Sequence, residues 1–175
     1  WTISEVTNFT EEEILEGLLA NSKYKPVESG KIYNIVNMGY GTVIYENTNG
    51  NQVRCQSADK SKFTQYWRII SENGKYYIQN VLSERYIKKQ NGAFSQIYST
   101  SATKSASANG FTLSKTDNDT EYTYAIVDQN PAGLHCDASS NVVGWYYTDN
   151  NNSIWGFQPV EVTEEEIAEA RKSYV

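Results

Sequence analysis

The chain has 175 residues, the size of one domain, and can bury a core without a disulfide scaffold. With 39% hydrophobic and 21% charged residues it is globular in composition, and 14 Tyr and 4 Trp beside one His and one Met favour short strands. The net charge of −6 sits at the ends: residues 1–30 and 161–175 carry −7, and residues 31–160 carry +1. A near-neutral body excludes a nucleic-acid binder, whose affinity rests on neutralising phosphates, and no apolar run approaches the roughly 18 residues of a membrane span.

Residues 1–30 read as a helical extension. Thr10 stands at an N-cap and Glu13 three residues on, which is a capping box, with Phe9 and Ile14 at the flanking staple positions. Ile14, Leu15, Leu18 and Leu19 make one apolar stripe that fades by Asn21. The chain opens at Trp1 without a visible signal peptide, as a processed protein or excised segment would.

Residues 31–160 then hold a threefold repeat, in segments 31–74, 75–119 and 120–162. Trp67, Phe111 and Trp155 recur near the segment ends, and Tyr33, Tyr77 and Tyr124 near their starts. Each segment carries about four short strand patterns separated by turns such as Asn73-Gly74 and Asn91-Gly92. In the first segment the strands fall at 33–37, 43–46, 52–56 and 67–71. Residues 161–175 repeat the opening device: Thr163-Glu164-Glu165-Glu166-Ile167 matches Thr10–Ile14 residue for residue. The two helices either pack on the body, or the last one opens a further unit of a longer protein.

Three similar segments of four strands suit a closed pseudo-threefold barrel better than a sandwich or a propeller of four or more blades. Gln65-Tyr66-Trp67 carries a full Gln-x-Trp; Ser153-Ile154-Trp155 keeps the Trp, and Asn109-Gly110-Phe111 keeps an aromatic. On these residues the chain resembles the ricin-type β-trefoil lectins over about 130 positions. The resemblance implies an all-β β-trefoil with short flanking α-helices, and a non-catalytic carbohydrate-binding function. The three recurrent aromatics are expected to plug the barrel rather than to stack on sugar.

The resemblance also implies where a sugar would sit. Family sites combine an Asp just after the second strand's core residue, an aromatic on the third strand and an Asn near the Gln-x-Trp. Aligning the segments on Ile44, Ile87 and Cys136 places Tyr45, Lys88 and Asp137 at the first position. Gln56, Tyr98 and Tyr146 then fall at the second, and Thr64, Ala108 and Asn152 at the third. Only the third segment keeps the full set, Asp137, Tyr146 and Asn152, while strand alternation turns Trp145 and Tyr147 to the other face. Asp137 could instead cap the turn it begins, and His135 either lines the site or is simply hydrogen-bonded.

Cys55 and Cys136 occupy core-type positions in different segments, whereas family disulfides join strands of one repeat; buried free thiols are expected. One His and no Ser–His–Asp pattern leave triad chemistry without parts. Asp117-Asn118-Asp119 lacks the glycine and distal glutamate of a calcium loop, so no metal or cofactor is expected. Sequons at Asn8, Asn118 and Asn151 matter only in a secreted eukaryotic chain. The expected protein is a glycan-binding, lectin-like module of a secreted or cell-surface, bacterial, multidomain protein, with no membrane insertion. A structural or protein-binding trefoil without a working sugar site is the alternative, and an accessory domain of an enzyme the third reading.

Overall fold

The computed structural model describes residues 9–174, so the Asn8 sequon lies outside the described residues. Twelve strands fall into three groups of four. The first holds β1 (Ile32–Asn37), β2 (Val43–Asn47), β3 (Gln52–Gln56) and β4 (Trp67–Glu72). The second holds β5 (Lys75–Asn80), β6 (Tyr86–Ile87), β7 (Thr100–Ser101) and β8 (Thr112–Lys115). The third holds β9 (Thr123–Gln129), β10 (Ala132–Cys136), β11 (Val142–Tyr146) and β12 (Trp155–Pro159). The first and fourth strands of each group close a six-strand barrel. β1 pairs with β12 and β4, β4 with β5, and β9 with β8 and β12. A bridge between Tyr76 and Phe111 completes the ring between β5 and β8. The second and third strands form hairpins β2–β3, β6–β7 and β10–β11, which cap one end. This is a β-trefoil.

Local chemistry sets the corners. β4 and β5 are joined by Asn73-Gly74, both at positive φ (50° and 77°), the backbone a two-residue hairpin needs and Asn-Gly supplies at low steric cost. Trp67, Phe111 and Trp155 are fully buried in the common core with Ile35, Ile78 and Ile126. At roughly 25 cal/mol per Å² over the roughly 150–250 Å² an aromatic ring buries, each contributes on the order of 4–6 kcal/mol of gross burial. Two of them also tie barrel to cap: Trp67 Nε1 donates to the Ile44 carbonyl (3.0 Å) and Trp155 Nε1 to that of Leu134 (2.9 Å).

Those two bonds correct the repeat alignment. The core residue equivalent to Ile44 and Ile87 is Leu134, not Cys136, and the hairpin pairs agree: Ile44 with Cys55, Ile87 with Thr100, Leu134 with Gly144. Cys136 lies two residues further on, at the place of Glu46. The opening tyrosines shift as well. Tyr33 pairs with Trp67, Tyr76 with Phe111 and Tyr124 with Trp155, so Tyr76, rather than its neighbour Tyr77, is the second member. Both cysteines are buried and free, as core positions imply, and their thiols meet across the repeat boundary.

Two helices flank the barrel, α1 (Glu11–Asn21) and α3 (Glu164–Lys172); a single turn, α2 (Ala106–Asn109), lies within the second repeat. Both flanking helices start with complete capping boxes, Thr10 with Glu13 and Thr163 with Glu166. Their packing differs. Ile167 of α3 is fully buried in a side cluster with Ile32, Tyr66 and Val81, whereas α1 buries no residue completely. Among the described residues no helix is long and apolar enough to cross a membrane.

Candidate functional site

The third-repeat hairpin holds the residues singled out from sequence, but it separates them. Asp137 follows β10 at the hairpin tip. Its Oδ1 accepts the backbone N–H groups of Ser139 (2.9 Å) and Asn141 (2.8 Å), which closes the turn into β11. Tyr146 ends β11 opposite Ala132, while Asp137 N–H bonds the carbonyl of Asn141. Four residue pairs therefore lie between them, five steps or about 17 Å along the strands. Asn152 belongs to neither end: its amide oxygen presses on Gly39, where an added β-carbon would sit 1.7 Å away. Its carbonyl accepts from Asn37 Nδ2 (2.9 Å). Asn80 makes the same bond to Thr64, so this is a repeated loop anchor.

What the hairpin does assemble lies at its base. His135 and Trp145 share one face of β10–β11, with ring centroids 6.2 Å apart. Trp145 contacts Tyr146 (5.7 Å) and Phe94 (5.5 Å), and Phe94, from the β6–β7 loop, stands edge-on to Tyr146 at 4.6 Å. Tyr146 is 45% exposed, one of the few large rings open to solvent. The exposed carboxylate of Asp149 accepts from Trp145 Nε1 (3.0 Å) and keeps further lone pairs facing outward. The result is an aromatic ledge with one carboxylate on its rim.

His135 is held from beneath. Ser153 Oγ donates to the Tyr146 carbonyl (2.9 Å) and lies 2.7 Å from His135 Nδ1, which then carries the proton and leaves Nε2 as an acceptor. Burial lowers the His135 pKa, against the pull of the Asp149 and Asp137 carboxylates. The imidazole is therefore neutral at pH 7. Ser153 fills the place of Gln65, whose amide staples its loop to Asp59 N–H and the Ser57 carbonyl, and of Asn109, which bonds the Ile87 carbonyl. The short serine side chain leaves room for the imidazole to make that contact instead.

On the structural register, the position after the second strand's core residue holds Tyr45, Lys88 and His135. The third-strand position of Gln56 is taken by Trp145. Of the ledge residues, sequence reasoning singled out His135 and Tyr146, gave Asp149 and Phe94 no sugar contact, and turned Trp145 to the other face, whereas Trp145 shares the face of His135. The Trp155–Leu134 spacing of 21 residues, against 23 for Trp67–Ile44, was the signal that the third hairpin is shorter. Among the described residues no group of three His, Cys, Asp or Glu side chains could hold a metal ion.

No family model matches the chain, and no curated protein does. Solved structures do. The chain is similar to the Macrolepiota procera ricin B-like lectin in complex with lactose, at TM-score 0.66 and 15% identity, covering 77% of this chain and 99% of that one. It is similar to the Rhizoctonia solani agglutinin, at TM-score 0.63 and 19% identity, over 77% and 99% of the two chains. A third similarity, at TM-score 0.64 and 16% identity, is to the Clostridium perfringens endo-β-galactosidase that releases GlcNAcα1-4Gal; it covers 78% of this chain but 34% of that one. The chain has the β-trefoil fold of the ricin B-like lectins.

Proposed function

We propose that the chain is a non-catalytic carbohydrate-binding module whose site is the ledge at the base of the β10–β11 hairpin. The observation that carries this reading is the contact set of Phe94, Trp145 and Tyr146 beside Asp149. A pyranose offers a weakly apolar C–H face and paired hydroxyls. Tyr146 and Trp145 supply rings for the face, Asp149 takes hydroxyl protons, and the neutral His135 Nε2 accepts one more. Asp137 shapes the hairpin and Asn152 the neighbouring loop, each by the bonds described above.

The first and second repeats hold Tyr45 with Gln56 and Lys88 with Ser101 at the corresponding places, so binding is single-site. A few hydrogen bonds of about 0.5–1.5 kcal/mol each and ring contacts of about 1 kcal/mol, offset by lost translational freedom, leave an affinity near millimolar. The Clostridium enzyme, in which a like segment is a minor part of the chain, supports an accessory role in a larger bacterial protein; a secreted or cell-surface location is part of the same proposal. A glycan array followed by titration calorimetry tests the reading. The wild type binds a saccharide, and Trp145→Ala and Tyr146→Ala each weaken it by about tenfold or more, while Lys88→Ala leaves it unchanged. Equal binding by Trp145→Ala rejects the ledge. Absence of any glycan ligand leaves a protein-binding trefoil instead.

A further inference from the structure

α1 and α3 begin with the same Thr-Glu-Glu-Glu-Ile string and close the same capping box. Aligned on that box, Phe9, Ile14 and Leu18 correspond to Val162, Ile167 and Arg171, and Leu15 and Leu19 to Ala168 and Lys172. In α3 the first set does the docking. Val162 packs on the side cluster, Ile167 is buried within it, and Arg171 donates twice to the Val81 carbonyl (2.9 and 2.7 Å). Glu164 adds an ion pair to Arg68 at the cleft's rim (2.6 Å). In α1 the same three positions are the open ones: Phe9 is 65% exposed, Ile14 51% and Leu18 47%. Leu15 and Leu19 are half-buried instead, beside a groove shared with Lys115, Asn118 and Asp119 of the barrel that follows the helix.

We propose that the Phe9/Ile14/Leu18 face of α1 seats on a second β-trefoil unit of this type, in the cleft that α3 fills here. Such a helix joins two trefoils, holding the preceding one through positions 9, 14 and 18 and its own through 15 and 19. The occupant follows from α3: the chain itself shows this helix start, with this cap, seated on a trefoil flank. The charge fits as well, because Glu11 takes the place of Glu164, which meets Arg68 on the rim. Leu18 in place of Arg171 exchanges two hydrogen bonds for apolar contact with a Val81-like and Leu82-like wall. Within one chain the cleft is filled by its own tethered α3 at high local concentration, so the wild type does not pair with itself through it.

Ile167→Asp releases α3 and opens the cleft to α1 of another molecule. Sedimentation velocity is expected to show at least a doubling of mass for this variant, head-to-tail, with the wild type monomeric and Ile14→Asp/Ile167→Asp returned to monomer. A folded Ile167→Asp chain, by near-ultraviolet circular dichroism, that stays monomeric overturns the proposal. So does association that survives Ile14→Asp. If Ile167→Asp unfolds, a tandem chain in which Thr10 of one copy directly follows Val162 of another asks the same question. Its second α1 gains amide-exchange protection of about tenfold over the single chain, and Ile14→Asp removes the gain; no gain overturns the proposal. Binding of the single chain to neutral phosphatidylcholine vesicles through Ile14, without association of chains, assigns the face to a membrane and overturns it likewise.

Discussion

Replacing Asp137 by alanine separates a turn residue from a sugar ligand. In the structure one carboxylate oxygen accepts two backbone N–H groups, from Ser139 at 2.9 Å and Asn141 at 2.8 Å. A hydrogen bond to a charged acceptor contributes roughly 1.5–3 kcal/mol where it is sheltered. The hairpin tip is open, and loss of a side-chain cap in such places costs about 0.5–2 kcal/mol. Asp137→Ala is therefore expected to destabilise the fold by about 1–2 kcal/mol, which for a domain of this size lowers Tm by about 3–6 °C. Asp137→Asn keeps the Oδ1 acceptor without its charge and should recover about half of the loss. Glycan affinity at 20 °C should hold in both variants, because Asp137 stands about 17 Å from Tyr146 along the strands. Thermal denaturation and titration calorimetry on the same samples decide the matter. An alanine variant with unchanged Tm and abolished binding would falsify the assignment and return Asp137 to the sugar.

Three other outcomes follow from particular contacts. Thr163→Ala should lower Tm by about 2–4 °C, whereas Thr10→Ala, which breaks the same box on a helix that buries no residue completely, should leave Tm unchanged and reduce only helical circular dichroism. Contact with the Cys136 thiol and burial both raise the Cys55 pKa, so an aromatic disulfide reagent at pH 8 should not label Cys55 until denaturant is added; fast labelling in the native state contradicts this. Because the His135 pKa is lowered on folding, the unfolded chain binds more protons, and stability from this group is complete above about pH 6.5. It is lost as pH falls from there through the lowered folded value; His135→Gln should flatten the urea midpoint between about pH 5.5 and 7 relative to wild type, and an unchanged slope contradicts the burial argument.

Most of the barrel was legible because its signals are redundant. The first group of strands, read from alternation and turn residues, falls within one residue of the observed bounds at each end. Trp67, Phe111 and Trp155 recur because three equivalent places each need a large ring. The second repeat was less legible. Its β6 and β7 hold two residues each, and the stretch between them carries its backbone bonds to Gly144, Val142 and Val53 of other elements. Such pairing is tertiary and leaves no period in the sequence. Tyr76 and Tyr77 show the same limit: both are strand-type aromatics, and only the bridge to Phe111 says which one carries the threefold equivalence.

The candidate site failed to read through for a narrower reason. Strand faces repeat every two residues, so an alignment error of two keeps every side chain on its correct face while moving it one place along the strand. Placing Cys136 on Ile44 made such an error on β10, invisible to burial pattern because Leu134 and Cys136 are both buried, while on β11 the slip was one residue, Tyr146 for Trp145, and it did turn the face. The β10 error exchanged His135 for Asp137 at the position where the family keeps its acid. The acid of this ledge comes instead from Asp149, past the end of β11, where the Tyr146-to-Asp149 turn brings it back to the indole. An acid supplied by the following turn, rather than by the second strand, frees the second-strand place for a neutral imidazole braced on Ser153. That exchange also accounts for the incomplete Gln-x-Trp: a glutamine at 153 would bring a longer amide to where His135 Nδ1 meets the serine hydroxyl at 2.7 Å. The serine at 153, in the turn before β12, and the imidazole at 135, on β10, thus depend on each other through one hydrogen bond.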